Sequence, residues 1–206
     1  ASGVEVGTEQ EWEYCEEISL PRLIFVNKMD RENADFYRVV EQFQSEFGSK
    51  CLPIQLPVGA QDDFQGFVDL LTMKAYTGSS AKETEIPSSL QPKVQSFHDK
   101  LVEAIAEIDD NLLEKYLGGE ELSLEELSNG LRQTIVNGRI VPVLVGSALK
   151  NIGINSLMDS VYSYLPSPKE RKVIVEKGEE MEASQGAPLA ALVFKTSADP
   201  YVGKLT

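Results

Sequence analysis

Histidine is nearly missing from this chain: His98 is the single one in 206 residues, and Cys15 and Cys51 are its two cysteines. One histidine excludes a His-rich metal site. It leaves His98, beside the apolar face of a helix-periodic stretch, as a structural residue with no triad to serve. Two cysteines permit at most one bridge and show no C-x-x-C spacing, so neither a disulfide framework nor a cysteine metal site is available, and a reducing compartment, the cytoplasm, is expected. Basic residues are scarce too. Nineteen Lys and Arg against 33 Asp and Glu give a net charge of −14, which removes bulk attraction for nucleic acid or anionic membrane, so any RNA partner needs local contacts. No run approaches the roughly 18 apolar residues of a membrane span, and no basic leader precedes an apolar stretch at the start. The absence of an initiator Met and the mid-pattern stop at "LVFKTSADPYVGKLT" make both ends read as cuts.

What is present is enough for a globular core: 42% of residues are hydrophobic, which suits one or two domains. "TEQEWEYCEEIS" predicts a short helix opened by a capping box of Thr8 and Glu11. "RLIFV", residues 22–26, is an unalternated apolar run of the kind found in a parallel strand covered on both faces. Phe36, Val40, Phe43 and Phe47 then recur at helical steps, with Gly48 as the stop. From 52 to 78, prolines, glycines and short β-rich runs predict a small antiparallel patch, followed by a polar connector. Val94, Phe97, Leu101, Ile105, Ile108, Leu112 and Tyr116 predict one helix of six turns that ends at Gly118 and Gly119. Asp99, Glu103, Glu107, Asp110 and Glu114 trace an acidic stripe on it, whose plainest role is a solvated face. Ser123 with Glu126 opens another helix. "VPVLV", residues 141–145, repeats the apolar-strand pattern, and Ile154, Leu157, Met158, Val161, Tyr162 and Leu165 form the inner face of a last helix. Residues 166–186 read as a linker, and "PLAALVFKT" opens a new strand. The fold class is α/β.

Both apolar strands stop at polar loops, "NKMD" and "GSAL", and in an open α/β sheet ligands sit beyond the carboxyl ends of the strands. The N-K-x-D spacing reads as a guanine-recognition motif. The Asp30 carboxylate offers two acceptors that match the adjacent N1–H and N2–H₂ donors of guanine, a pair adenine lacks. Asn27 can meet the N7/O6 edge or tie the two loops together, and the Lys28 stem can lie over the purine face. Ser147 and Ala148 would bring a backbone N–H, that of Ala148, to guanine O6, while Leu149 covers the other side of the ring. The competing view makes Asn27 and Asp30 plain helix caps. Asp62 and Asp63, in "GAQDDFQG", read as a turn rather than an acid/base pair, and Lys150 and Asn151 as the start of the last helix.

With these motifs, and with "GVEVGTEQEWEYCEE", "LPRLIFVNKMDRENADF", "LVEAIAEIDDNLLEKYLGG" and "GRIVPVLVGSALKNIGINSLMDSV", the chain resembles bacterial translation elongation factor G and its elongation-factor-G-like paralogues over essentially its full length. The resemblance implies a partial P-loop GTPase of three α/β layers. On that pattern 1–51 is the first part of the GTPase domain, 52–138 an inserted α+β subdomain, 139–166 the last GTPase strand and helix, 167–187 a linker, and 188–206 the first strand of a β-barrel domain. It implies GTP or GDP as ligand, with Mg²⁺ in the parent protein. It also implies a ribosome-dependent GTPase that promotes tRNA and mRNA translocation, with a ribosomal-protection or release-type factor as the alternative. Two departures, a shortened connector around "TGSSAKETEIPSSLQPKV" and "GVEVGTEQ" in place of a P-Q-type stretch, keep a paralogue in view.

The glycine-rich phosphate loop, G-x-x-x-x-G-K-[ST], does not occur in these residues, nor does the D-x-x-G loop beside the attacking water. The chain is therefore expected to select the base and not to hydrolyse GTP by itself. The same resemblance places the ribosomal stalk protein against the acidic stripe, Asp99 to Glu114. A non-catalytic stalk-binding module is the reading from a different class. With two strands of a larger sheet, the isolated chain is expected to expose an edge and self-associate.

Overall fold

The apolar run at 22–26 becomes β1 (Ile24–Val26), preceded by α1 (Val6–Glu17), in a computed structural model that describes residues 2–170, 173–174, 180–181, 183–184, 186–187, 191, 193, 195–199 and 203–205. Two units divide the chain, Ala1–Leu165 and Pro166–Thr206. In the first, α1 begins before Thr8: Glu5 is the N-cap, and Thr8 Oγ1 accepts the Glu5 N–H at 3.3 Å. Thr8 therefore stands at the third helical position, where a hydroxyl reaches back to the cap, rather than at the cap itself.

Asp35 caps α2 (Phe36–Phe47), accepting the Arg38 N–H at 3.1 Å, and the helix buries Phe36, Val39, Val40 and Phe43. Beyond it the structure departs from the sequence expectation. Leu52 and Pro53 do not open the antiparallel patch: with Cys51 they form β2 (Cys51–Pro53), a third parallel strand. The chain then runs directly into β3 (Gln55–Val58), β4 (Gly66–Asp69), β5 (Lys74–Thr77) and β6 (Lys82–Thr84), a four-stranded antiparallel meander in consecutive order.

The six-turn helix is two helices, α3 (Gln91–Ala106) and α4 (Asp110–Leu117). Asp109 breaks it: in an extended conformation its carboxylate accepts the N–H groups of Asn111 and Leu112 and so caps a new helix. The apolar steps of three and four continue across the break, so periodicity alone does not reveal it. The acidic stripe is consequently shared, with Asp99 and Glu103 on α3, Glu107 at its end, and Asp110 and Glu114 on α4; all five are exposed. The capping box of Ser123 and Glu126 opens α5 (Leu124–Val136) as expected.

β7 (Val141–Val145) is buried at all five positions because it is the middle strand of the parallel sheet, order β1-β7-β2. Its register places Val26 opposite Val145 and Pro53 opposite Val143. α6 (Ile154–Tyr164) follows. One apolar cluster runs through both sheets, from Val26, Phe36 and Val143 to Leu56, Val68, Val94 and Leu131. The mixed α/β architecture is that of a partial P-loop GTPase fold.

In the second unit, the stretch read as a linker carries a short antiparallel pairing of β8 (Val173–Ile174) with β9 (Glu180–Met181), consistent with its β-branched run. β10 (Ser197–Asp199) and β11 (Gly203–Leu205) form a second such pair. The strand expected at 188–196 lies mostly outside the described residues. Among the described residues no helix is long and apolar enough to cross a membrane.

Candidate functional site

Because β1 and β7 are adjacent and parallel, the loops that follow them, 27–30 and 146–151, leave the same end of the sheet. Backbone bonds join them at once: the Gly146 N–H donates to the Val26 carbonyl at 3.1 Å and the Met29 N–H to the Gly146 carbonyl at 3.2 Å. Met29 is the anchor of the first loop, fully buried at 0% exposure. Lys28, on one side of it, takes a left-handed φ of 62°. That local reversal leaves Lys28 exposed while Asn27 and Asp30 stay half-buried.

Asn27 closes the loop pair. Its Oδ1 accepts the Lys28 N–H at 2.7 Å and the Ala148 N–H at 2.9 Å. Of the two roles the sequence left open for Asn27, the structure displays the tie between loops, and it engages the Ala148 N–H that the sequence reading aims at guanine O6.

The second loop is built on close approach. A Cβ on Gly146 would fall 2.4 Å from the Ile152 carbonyl and 2.6 Å from the Phe25 ring. Ser147, fully buried, pairs with Ile152 through two backbone bonds of 2.9 Å, and its Oγ accepts the Lys150 N–H at 3.1 Å. Lys150 and Asn151 thus belong to the loop turn rather than to the last helix, which starts after Gly153 at φ 80°. Leu149 is 85% exposed and Ala148 is exposed beside it.

Asp30 is held below the usual carboxylate range. The Ser147 hydroxyl is the largest cause, opposed by desolvation and aided by the Asp30 backbone and by the Lys150 and Arg31 charges. Its Oδ1 is buried and has no hydrogen-bond partner among the described residues. An ionised carboxylate is an acceptor of the kind that a pair of N–H donors on a flat base requires, although Oδ1 itself is closed to a ligand in this conformation. Such an acceptor is compatible with the N1–H and N2–H₂ donors of guanine, and the exposed Lys28 and Leu149 side chains stand on the same two loops.

The other candidates are accounted for differently. His98 Nδ1–H donates to the Leu70 carbonyl at 2.7 Å, a structural use. Asp62 and Asp63 are exposed in a 3₁₀ turn, Gln61–Asp63. The sequence reading missed Gln61, whose N–H donates to the Met29 carbonyl at 2.8 Å, and the buried Gln55. A polar residue inside "LPIQLPV" is the signal that could have found Gln55.

Residues 1–167 match the family model of the elongation factor Tu GTP binding domain. The chain is also similar to a protein of Thermus thermophilus known from a crystal structure, with a TM-score of 0.79 and 32% sequence identity, over 98% of this chain and 29% of that one. It thus spans less than a third of the length of that Thermus protein.

Proposed function

Because the chain belongs to the elongation factor Tu GTP-binding-domain family, whose members are GTP-binding translational GTPases, we propose that its two loops are the guanine-recognition half of a ribosome-dependent factor of elongation-factor-G type. The bond from the Ala148 N–H to Asn27 Oδ1, which ties the two loops together beside an Asp30 kept ionised by Ser147, carries this reading. Asp30 accepts the N1–H and N2–H₂ donors of the base. Asn27 holds the loops in register, the Ala148 N–H serves O6 by sharing its bond to Asn27, and Ser147 keeps Asp30 ionised. Lys28 and Leu149 cover the two faces of the ring. Phosphates and Mg²⁺ are assigned to a glycine-rich loop of the kind absent from these residues, so the 206-residue chain selects the base without hydrolysing GTP. The parent factor acts in the cytoplasm, coupling hydrolysis to translocation of tRNA and mRNA.

NMR titration of the chain with GMP, IMP and AMP tests base recognition. The expected order places GMP first and AMP last, with shifts at Ala148 and Met29; equal responses to all three would remove the reading. GTP turnover by the purified chain would contradict the division of labour.

A second role is favoured by the five exposed carboxylates on α3 and α4: a docking face for the ribosomal stalk protein, in which charge speeds encounter. Glu103→Lys with Glu107→Lys should slow stalk association at low salt, and an unchanged rate would count against it.

A further inference from the structure

The insert meets the base loops at a handover between two sheets. A parallel ladder continuing from β2 along β7 would use residue 54 twice, its N–H to Val143 and its carbonyl to Val145. The first bond is made, Ile54 N–H to the Val143 carbonyl at 3.0 Å. The second is not: the Ile54 carbonyl turns to the antiparallel meander and accepts the Leu70 N–H at 3.0 Å. Val145, the last residue of β7 before the Gly146–Ala148 loop, would be left with a buried and unpaired N–H. The side chain of Gln55, itself only 1% exposed, takes the carbonyl's place, its Oε1 accepting that N–H at 3.3 Å. The other end of the amide donates to Ser156 Oγ on α6, which fixes its orientation. Six residues on, in the loop between β3 and β4, the Gln61 N–H holds the Met29 carbonyl at 2.8 Å.

We infer that this first hairpin of the insert is a clamp on both base-recognition loops, with Gln55 a positioning residue for guanine selectivity. Gln55 secures the strand that delivers Ala148, and Gln61 secures the loop that delivers Asp30. Met29 and Gly146 join the two arms through their own 3.2 Å bond. A partner that displaces the meander would therefore act on the base site through these two bonds, without touching nucleotide. The selectivity role rests on the guanine-binding reading above; the clamp itself does not.

The test uses Gln55→Met, which keeps the side chain's length and loses its amide, and Ser156→Ala, which keeps the amide and frees its orientation. Leu131→Ala, in α5, is the control for general destabilisation. Native-state hydrogen exchange is read at the Val145, Ala148 and Met29 amides. After correction for global stability, Gln55→Met should speed exchange at all three about tenfold or more, the equivalent of one buried unpaired N–H. Ser156→Ala should do so to a smaller degree, and Leu131→Ala not at all. Equal exchange in Gln55→Met and Leu131→Ala would overturn the clamp. If Gln55→Met fails to fold, the same comparison of Ser156→Ala with Leu131→Ala decides. In parallel, preference for GMP over IMP should shrink in Gln55→Met and survive in Leu131→Ala; retained preference would overturn the positioning role. If the unaltered chain discriminates no base, the guanine reading falls, and hydrogen exchange still judges the clamp.

Discussion

Asn27 and Ala148, 121 residues apart in the chain, are joined by a 2.9 Å bond from the Ala148 N–H to Asn27 Oδ1. The same oxygen takes the Lys28 N–H, so one side-chain atom sets both the turn of its own loop and the position of the other. Asn27→Ala should loosen the pair without emptying the core. We expect a loss of about 1–3 kcal/mol in GMP binding, together with faster hydrogen exchange at Ala148. Asn27→Asp keeps the acceptor and should recover the exchange protection.

Asp30 provides a prediction in pH. Its folded pKa lies below the ordinary value of 3.8. Stability from the ionised form is thus fully present above that value and is lost as pH falls through the lower, folded one. Preference for GMP over IMP should stay level from neutral pH down to about 4.5. Asp30→Ala should erase the preference at every pH, because inosine differs from guanosine only in the amino group the carboxylate accepts. Discrimination that persists in Asp30→Ala would move the site elsewhere.

Gly146 is predicted to resist any side chain. Gly146→Ala would press a methyl against the Ile152 carbonyl and the Phe25 ring, and overpacking of this kind costs about 1–3 kcal/mol. Denaturant melting should show that loss, and the amide signals of Ser147 and Ile152 should shift most, since they flank the displaced backbone.

The single tryptophan gives an optical readout of α1. Trp12 stacks on Phe47 at 4.1 Å between ring centroids and 14° between planes, with the Arg22 guanidinium 4.5 Å from its centroid. Phe47→Ala should cost about 2 kcal/mol at this half-buried contact and shift Trp12 emission to the red. An unchanged emission maximum would mean that the helix is held by other contacts.

The central strand and the two loops are legible in the sequence because a strand covered on both faces needs no alternation, and because N-K-x-D and G-S-A carry their chemistry in side chains and spacing. β2 is not legible. Cys51 to Val58 forms one β-rich run, and nothing local marks residue 54 as the point where a parallel ladder ends and an antiparallel one begins. The break at Asp109 is hidden for a related reason: Ile105, Ile108 and Leu112 keep helical spacing across it. Gln55 is visible only as an odd polar residue, since its partners lie 90 and 101 positions away. Tertiary bonds of that range leave no periodic trace.

The strand order also dictates a sequence of events in time. β1 and β2 both pair with β7, and β7 is the last of the three in the chain. During synthesis neither of the first two strands can form its ladder with β7 until residues 141–145 have emerged, whereas β3 to β6 pair each with the next and can close locally. The meander thus matures while the parallel sheet waits, and by folding it shortens the span that β1 and β7 must bridge. The loops at 27–30 and 146–151 are joined only at the final step, so a ribosome-bound chain stopped short of β7 would carry a finished insert and no base site.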